Sequence, residues 1–203
     1  MNKEQSSAND GNAANPTPKK ENFWWETLKI IITTLAIVLP IRYFIAQPFI
    51  VAGSSMYPTF ENGEYLIIDE ISYRFGPPER GDVIVFRYPG NPKKFYIKRI
   101  VGLPEETIKI RDEEIFITTP AGETFELSES YLKRPSPGNF VSNLGPDEYY
   151  VLGDNRQESS DSRVWGVLPK ELIIGKPVVR LLPIGKIDLY PGRLTDGEAA
   201  TSD

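Results

Sequence analysis

The sequence predicts a mainly β domain of antiparallel sheets that follows a single N-terminal apolar helix. Three observations predict this fold class. Short runs of β-branched and aromatic residues recur at close spacing after residue 47. The 203 residues include 18 prolines and 16 glycines, which favour turns between short strands over long helices. One long apolar run, at residues 23–46, stands out from the polar residues before it.

Residues 23–46 are predicted to form a transmembrane anchor behind a disordered cytoplasmic tail, residues 1–22. About 20 mostly apolar residues suffice to cross a bilayer, and Trp24 and Trp25 are typical interfacial anchors. Lysines at that end favour a cytoplasmic N-terminus. Three alternatives are a cleavable signal peptide, a buried core helix and an amphipathic interfacial helix. The long tail disfavours the signal peptide, the length of the run disfavours the core helix, and the lack of a polar face disfavours the interfacial helix.

Residues 47–192 are predicted to form one β-rich domain. Asp112 and Glu113 separate two alternating segments and predict a hairpin. A surface loop is expected at 131–146 and a flexible tail at 193–203. The predicted strands are 64–69, 82–88, 96–101, 107–111, 114–118, 148–152 and 176–182.

Composition excludes several function classes. A formal charge of −5, without a basic stripe, argues against nucleic acid as a partner. Because the chain has no histidine and no cysteine, Ser-His-Asp and thiol proteases are excluded. The polar loop at 153–166 lacks the alternating ligands of a calcium loop, so no metal and no cofactor is predicted.

Ser55 is the candidate nucleophile, in the turn 53–59. Such a turn by itself is most often a solvated loop. Here Gly53 permits unusual backbone geometry and Pro58 restricts the chain after the serine, which together predict that the Ser55 backbone N–H points at a developing oxyanion.

Lys98 is the candidate base, in the apolar segment 95–101. A lysine beside an arginine on a strand is usually solvated, but alternation implies that either Lys98 or Arg99 points inward or into a groove. Burial among apolar groups lowers the pKa of a lysine, which a lysine base requires near neutral pH.

The segment 153–166 is rich in Asp, Asn, Ser and Arg and ends beside a tryptophan. A solvated loop is the simple interpretation. The density of polar groups instead favours a hydrogen-bonded network in which Asp161 pairs with Arg163 and a serine hydroxyl orients the lysine amine.

In order, the segments 53–59, 80–86, 96–104 and 153–166 resemble the motifs of bacterial type I signal peptidases. These membrane-anchored serine proteases of family S26 remove signal peptides from exported proteins. The similarity extends from the apolar run to about Tyr190. Each segment alone is moderately specific, and all of them in this order behind an apolar run are highly specific.

The resemblance implies acyl-enzyme catalysis by a dyad of Ser55 and Lys98. It implies that Ser159 holds the lysine amine, supported by an ion pair of Asp161 and Arg163. The substrate, a signal peptide bound as an added strand, would carry small residues of the A-x-A type before the cut. The implied substrate-binding residues are Phe49, Val51, Met56, Tyr96 and Ile97.

The resemblance also implies a location and shows departures. It implies a single-pass protein of the bacterial cytoplasmic, or a thylakoid-type, membrane, with the bilayer as partner and the catalytic domain on the outer or lumenal side. Gly53 replaces a serine that some members use as the second oxyanion donor, so that donor is unassigned. Glu64, Glu105 and Glu106 also depart from the family pattern, in turns where structural consequences are expected.

Two other functions are compatible with parts of the sequence. A self-cleaving repressor-type Ser/Lys protease predicts a DNA-binding segment and an internal Ala-Gly site, and the apolar run disfavours it. A non-catalytic, membrane-anchored β module predicts decayed catalytic residues, whereas both Ser55 and Lys98 are present.

Overall fold

The computed structural model describes residues 23–40, 46–132 and 134–194. The chain separates into two units, with the division after Leu39. Helix α1 (Phe23–Pro40) lies in the first unit apart from its last residue, and the second unit holds the strands. The predicted tail 1–22, residues 41–45 of the predicted anchor and residues 195–203 of the predicted C-terminal tail lie outside the described residues.

Helix α1 is rich in apolar residues and exposes large side chains, among them Trp24, Ile30 and Ile37. Glu26 and Lys29 form an ion pair of 3.0 Å on it. In the part of the chain that the structure describes, no helix reaches the length and apolar character needed to cross a membrane. The transmembrane anchor at 23–46 stays a prediction.

The second unit is built from short strands, and every described strand pairing is antiparallel. Short helices interrupt them at α2 (Ser72–Phe75) and α3 (Ser162–Trp165), with 3-10 turns at Lys170–Leu172 and Ile184–Lys186. The strands are β1 (Ala46–Ile50), β2 (Tyr65–Asp69), β3 (Val83–Tyr88), β4 (Asn91–Gly102), β5 (Thr107–Arg111), β6 (Glu114–Thr118), β7 (Thr124–Glu126), β8 (Phe140–Asn143), β9 (Glu148–Leu152), β10 (Leu168–Pro169), β11 (Ile173–Leu182) and β12 (Asp188–Leu189).

The strands form two sheets. The larger runs in the order β1-β2-β11-β3-β4-β9-β10, with β12 beside β11, and the smaller runs β7-β6-β5-β8. The prediction of a mainly antiparallel β fold is therefore confirmed. The predicted hairpin is confirmed too, because β5 pairs with β6 and Asp112 and Glu113 both have positive φ, as a two-residue hairpin turn requires.

Strand β3 lies at the centre of the core because both of its faces are covered. Successive side chains on a strand point to opposite faces. Val83 and Val85 accordingly pack in the cluster with Met56 and Phe60, whereas Ile84 and Phe86 pack in a second cluster on the other side. The turn that carries Ser55 packs against the first of these clusters through Met56 and Phe60.

One predicted loop contains a strand. Residues 140–143, inside the loop predicted at 131–146, form β8 and pair with β5, so the prediction was wrong there. The strand lies at the edge of the smaller sheet with Val141 68% exposed, and its neighbours are rich in proline and glycine. An exposed edge strand in such surroundings lacks the apolar pattern from which strands are predicted.

Candidate active site

Ser55 lies in the turn-rich segment between β1 and β2. Gly53 has φ of 99°, a conformation that residues with a Cβ rarely adopt, and its N–H donates to Asn62 Oδ1 at 2.9 Å. Met56 and Phe60, both at most 1% exposed, anchor the segment in the core. The local sequence thus presents the serine on a turn whose apolar side chains hold it against the sheet.

Lys98 is brought to this turn by β4, on which it pairs with Ile84 of β3. Its Nζ lies 2.6 Å from Ser55 Oγ and donates to the backbone carbonyl of Ile97 at 2.8 Å. The lysine is only 3% exposed, and Nζ stands 5.5 Å from the ring centroid of Tyr96. The amine and the hydroxyl therefore form a direct hydrogen bond within a largely buried site.

The surroundings lower the pKa of Lys98 to about 8, because burial penalises the charged amine. The carboxylates of Asp161 and Asp154 act in the opposite direction. An amine with a pKa near neutrality is an effective base at physiological pH.

Of the three predicted support residues, Asp161 and Arg163 make the implied ion pair, whereas Ser159 makes no hydrogen bond to Lys98. Asp161 and Arg163 form an ion pair, with Nη2 2.8 Å from Oδ2 and Nε 2.8 Å from Oδ1, and Asp161 also accepts the Gly153 N–H. Ser159 Oγ is buried but has no hydrogen-bond partner among the described residues, Lys98 included. The structure therefore places Ser159 near the dyad without joining it to the amine.

The backbone of the turn at 53–59, which carries the candidate nucleophile Ser55, is held by residues for which the sequence indicated no role. The Asn155 backbone N–H donates to the Ser55 carbonyl at 3.0 Å, and its side chain donates to the Ser54 carbonyl at 3.2 Å. A Cβ on Gly153 would clash with the Ser55 carbonyl oxygen and with Ser159 Oγ. This close approach explains the glycine. A glycine that opens a dense polar segment was the available signal.

Lys98 and Arg99 are both buried, although strand alternation implied that only one of them points inward. Arg99 is 1% exposed and forms a bidentate pair with Asp154, at 2.9 and 2.7 Å. Its remaining nitrogen, Nη1, donates to the Gly81 and Gly192 carbonyls. Both faces of β4 are therefore covered here: Lys98 lies beside the turn that carries Ser55, and Arg99 contacts Gly81 and Gly192, which are distant in sequence.

A cleft of about 580 Å³ opens beside the dyad. Its walls come from segments 49–55 and 94–98, together with Leu66, Val85, Glu158 and Ser160. Of the predicted pocket residues, Phe49, Val51, Tyr96 and Ile97 line this cleft. Met56 is not among the lining residues, and its side chain, 1% exposed, packs in the core cluster with Val51 and Leu66.

Within the residues that the structure describes, no group of acidic side chains is arranged to hold a metal ion. The other buried charges are paired with one another. Arg156 pairs with Glu129, Arg80 with Glu106, and Arg180 with Glu64 at 3.2 Å. Glu64 and Glu106, which depart from the family pattern, thus take part in ion pairs within the fold.

Comparison with known proteins gives consistent matches. A family model described as signal peptidase, peptidase S26, matches residues 24–182. The chain is 33% identical over 192 residues to the probable signal peptidase I-1 of Synechocystis sp. (strain ATCC 27184 / PCC 6803 / Kazusa), covering 88% of this chain and 95% of that protein. It is 37% identical to signal peptidase I of Leptolyngbya laminosa, covering 84% and 85% of the two chains.

Relatives from other organisms are similar as well. Signal peptidase I of Bacillus amyloliquefaciens is 34% identical, covering 77% of this chain and 84% of that protein. A crystal structure of a signal peptidase I from Enterococcus faecalis V583 is 31% identical, covers 49% of this chain and 95% of that chain, and has a TM-score of 0.43.

Proposed function

Because this chain belongs to the signal peptidase family, peptidase S26, we propose that it is a serine endopeptidase that removes signal peptides from exported preproteins. The observation that carries the proposal is the contact of 2.6 Å between Lys98 Nζ and Ser55 Oγ beside a peptide-sized cleft. Membership of the family supports the activity, and this contact supports its assignment to Ser55 and Lys98.

In the proposed reaction, neutral Lys98 accepts the Ser55 proton while Oγ attacks the scissile carbonyl. The Ser55 N–H, which donates no hydrogen bond among the described residues, stabilises the oxyanion. Lys98 then gives its proton to the leaving amine. Water, activated by the same amine, hydrolyses the acyl-enzyme and regenerates Ser55.

The signal peptide binds as an added strand along β4. This proposal is supported by the pairing of β4, whose residues 95–98 pair with β3 on one side, whereas β9 reaches only residues 99–102 on the other. The free edge at 94–98 lines the cleft. Main-chain hydrogen bonds to this edge would hold the peptide, and the walls formed by Phe49, Val51 and Ile97 would admit small residues before the cut.

Support for the dyad comes from the loop 153–163. The Asp161–Arg163 pair holds the loop, and Ser159 lies within it with an unpartnered, buried hydroxyl. We infer that this hydroxyl orients the Lys98 amine once substrate is bound, because a buried hydroxyl without a partner is costly to leave unsatisfied. Met56 supports the floor of the substrate pocket from below.

Residues 23–46 anchor the enzyme in the bacterial cytoplasmic membrane, or a thylakoid-type membrane, as a single span. Support for this part of the proposal comes from the exposed apolar side chains of α1 and from the tryptophans at its start. Residues 1–22 would then be cytoplasmic, and residues 47–192 would act on the outer or lumenal side, where translocated signal peptides emerge.

The rate of cleavage should depend on the protonation of Lys98. Its pKa of about 8 means that the neutral, active form is depleted as the pH falls. We expect kcat/KM to fall by about tenfold for each pH unit below 8 and to reach a plateau above it. The measurement is a pH–rate profile with an uncharged peptide substrate, and a profile that stays flat down to about pH 4 would contradict a lysine base.

The proposed function is tested by cleavage of a reporter preprotein with the detergent-solubilised full chain. We expect the wild type to release the signal peptide after a small residue and Ser55→Ala to lose this activity by at least about a thousandfold. Ser130→Ala, which removes an exposed hydroxyl outside the cleft, is the matched control and should cleave normally. Failure of the wild type to cleave any preprotein would reject the function.

A further inference from the structure

Among the residues that the structure describes, Glu158 is the only acidic one that lines the cleft. It is exposed, and it forms no ion pair among the described residues. The other carboxylates of the loop 153–163, Asp154 and Asp161, are buried and paired with arginines. Glu158 therefore differs from its neighbours in keeping its charge available to a bound molecule.

Two contacts hold this carboxylate beside the nucleophile turn. Ser54 Oγ donates to Glu158 Oε2 at 3.2 Å, and Asn155 Nδ2 lies 3.4 Å from the same oxygen. Asn155 is also the residue whose backbone N–H binds the Ser55 carbonyl. The position of Glu158 is thus tied to the position of the nucleophile.

The cleft has two distinct ends. The two segments that form its walls, 49–55 and 94–98, run in the same direction. At one end the ring of Phe49 packs on the ring of Phe95, with centroids 5.4 Å apart. At the other end Ser55, later in the first segment, meets Lys98, later in the second. The apolar lining lies toward the Phe49 end. Lys94 marks that end, about 13 Å along the strand from Lys98, and Glu158 lies at the end with the dyad.

We propose that Glu158 selects the first residues of the leaving chain by charge, favouring basic and disfavouring acidic side chains at the first two positions after the cut. The inference rests on the proposed function, which places the small residues before the cut in the apolar part of the cleft. The leaving chain then passes the other end, where Glu158 is the charged group.

The test uses preproteins that differ only in the first or the second residue after the cut, each with Lys, Gln or Glu. For the wild type we expect kcat/KM to be about three- to tenfold higher with Lys than with Glu at one of these positions, as for an exposed charge pair. Glu158→Gln should bring this ratio toward one, and Glu158→Lys should invert it. Comparing ratios between enzymes removes the intrinsic effect of each residue on the substrate.

Two further measurements separate charge selection from a structural role. The Lys-to-Glu ratio should shrink in the wild type as salt is raised, because exposed charges are screened, and should stay constant in Glu158→Gln. Glu123→Gln, which removes an exposed carboxylate outside the cleft, should keep the wild-type ratio.

Two results would overturn the inference. One is an unchanged ratio in Glu158→Gln, and the other is an equal loss of kcat/KM for all substrates, which would make Glu158 a positioning residue for Ser54. Either result would leave the proposed function standing, because the preproteins would still be cleaved. Only the absence of wild-type cleavage would reject that function.

Discussion

Lys98→Met is expected to lower kcat/KM for preprotein cleavage by at least about a thousandfold. Methionine has a similar length and apolar stem but provides no atom that accepts the Ser55 proton. The chain has no histidine, and the two carboxylates that act on the pKa of the amine, Asp161 and Asp154, are already bound to arginines. Cleavage should be measured with the full chain in detergent.

The same variant should remain folded. Lys98 is 3% exposed, so replacing it with an apolar side chain removes the cost of burying an amine. We expect a Tm equal to or above that of the wild type. Lys93→Met, an exposed lysine on the same strand and outside the cleft, is the matched control and should cleave normally.

The double variant provides a stricter test of the dyad. If Ser55 and Lys98 act as one unit, Ser55→Ala combined with Lys98→Met should lose no more activity than either single variant. Substantial activity in Lys98→Met, or additive losses in the double variant, would mean that another group takes the serine proton.

Asp154→Ala is expected to destabilise the catalytic unit by about 3–5 kcal/mol. The Arg99–Asp154 pair is almost completely buried, with side chains 1% and 0% exposed. Removing the carboxylate leaves a guanidinium charge buried without its counterion, and it also removes the acceptor of the Thr59 hydroxyl at 2.6 Å. For a chain of this length the corresponding decrease in Tm is about 10 °C.

Thermal unfolding of the full chain in detergent measures this effect. Asp147→Ala is the matched control, because its pair with Lys170 is long, at 3.9 Å, and exposed. Such a pair contributes less than about 1 kcal/mol, so the control should unfold near the wild-type temperature. A Tm of Asp154→Ala equal to that of the control would show that Arg99 is stabilised by its backbone carbonyl partners alone.

The parts of the fold that depend on local patterns were predictable. The hairpin of β5 and β6 follows from alternating residues around a two-residue turn, and strand β9 follows from a compact run of aromatic and aliphatic residues. Strand β8 was missed because its pairing with β5 depends on a distant segment rather than on its own composition. The N-terminal anchor and the roles of the support residues stay predictions.

The candidate site was predicted by elimination and from resemblance. Single residues show where this prediction succeeded and where it failed. Without histidine or cysteine, a serine nucleophile needs a lysine base, and Lys98 lay in the most suitable apolar segment. The contribution of Asn155, the closeness of Gly153 to Ser55 and the burial of Met56 had no signal of comparable strength. Each is a contact between segments that are far apart in the chain.

By itself, the sequence determined the chemistry available to this protein and the secondary structure of its strongest strands, because both depend on residue type and on neighbours along the chain. Only the tertiary structure decided that Lys98 meets a hydroxyl 43 residues away and that Arg99 is neutralised by a carboxylate 55 residues away. Strand alternation determines which face a side chain occupies but not what covers that face. The order of the strands in the sheet determines which segments cover each face. Here it buries Lys98 beside Ser55 and Arg99 beside Asp154.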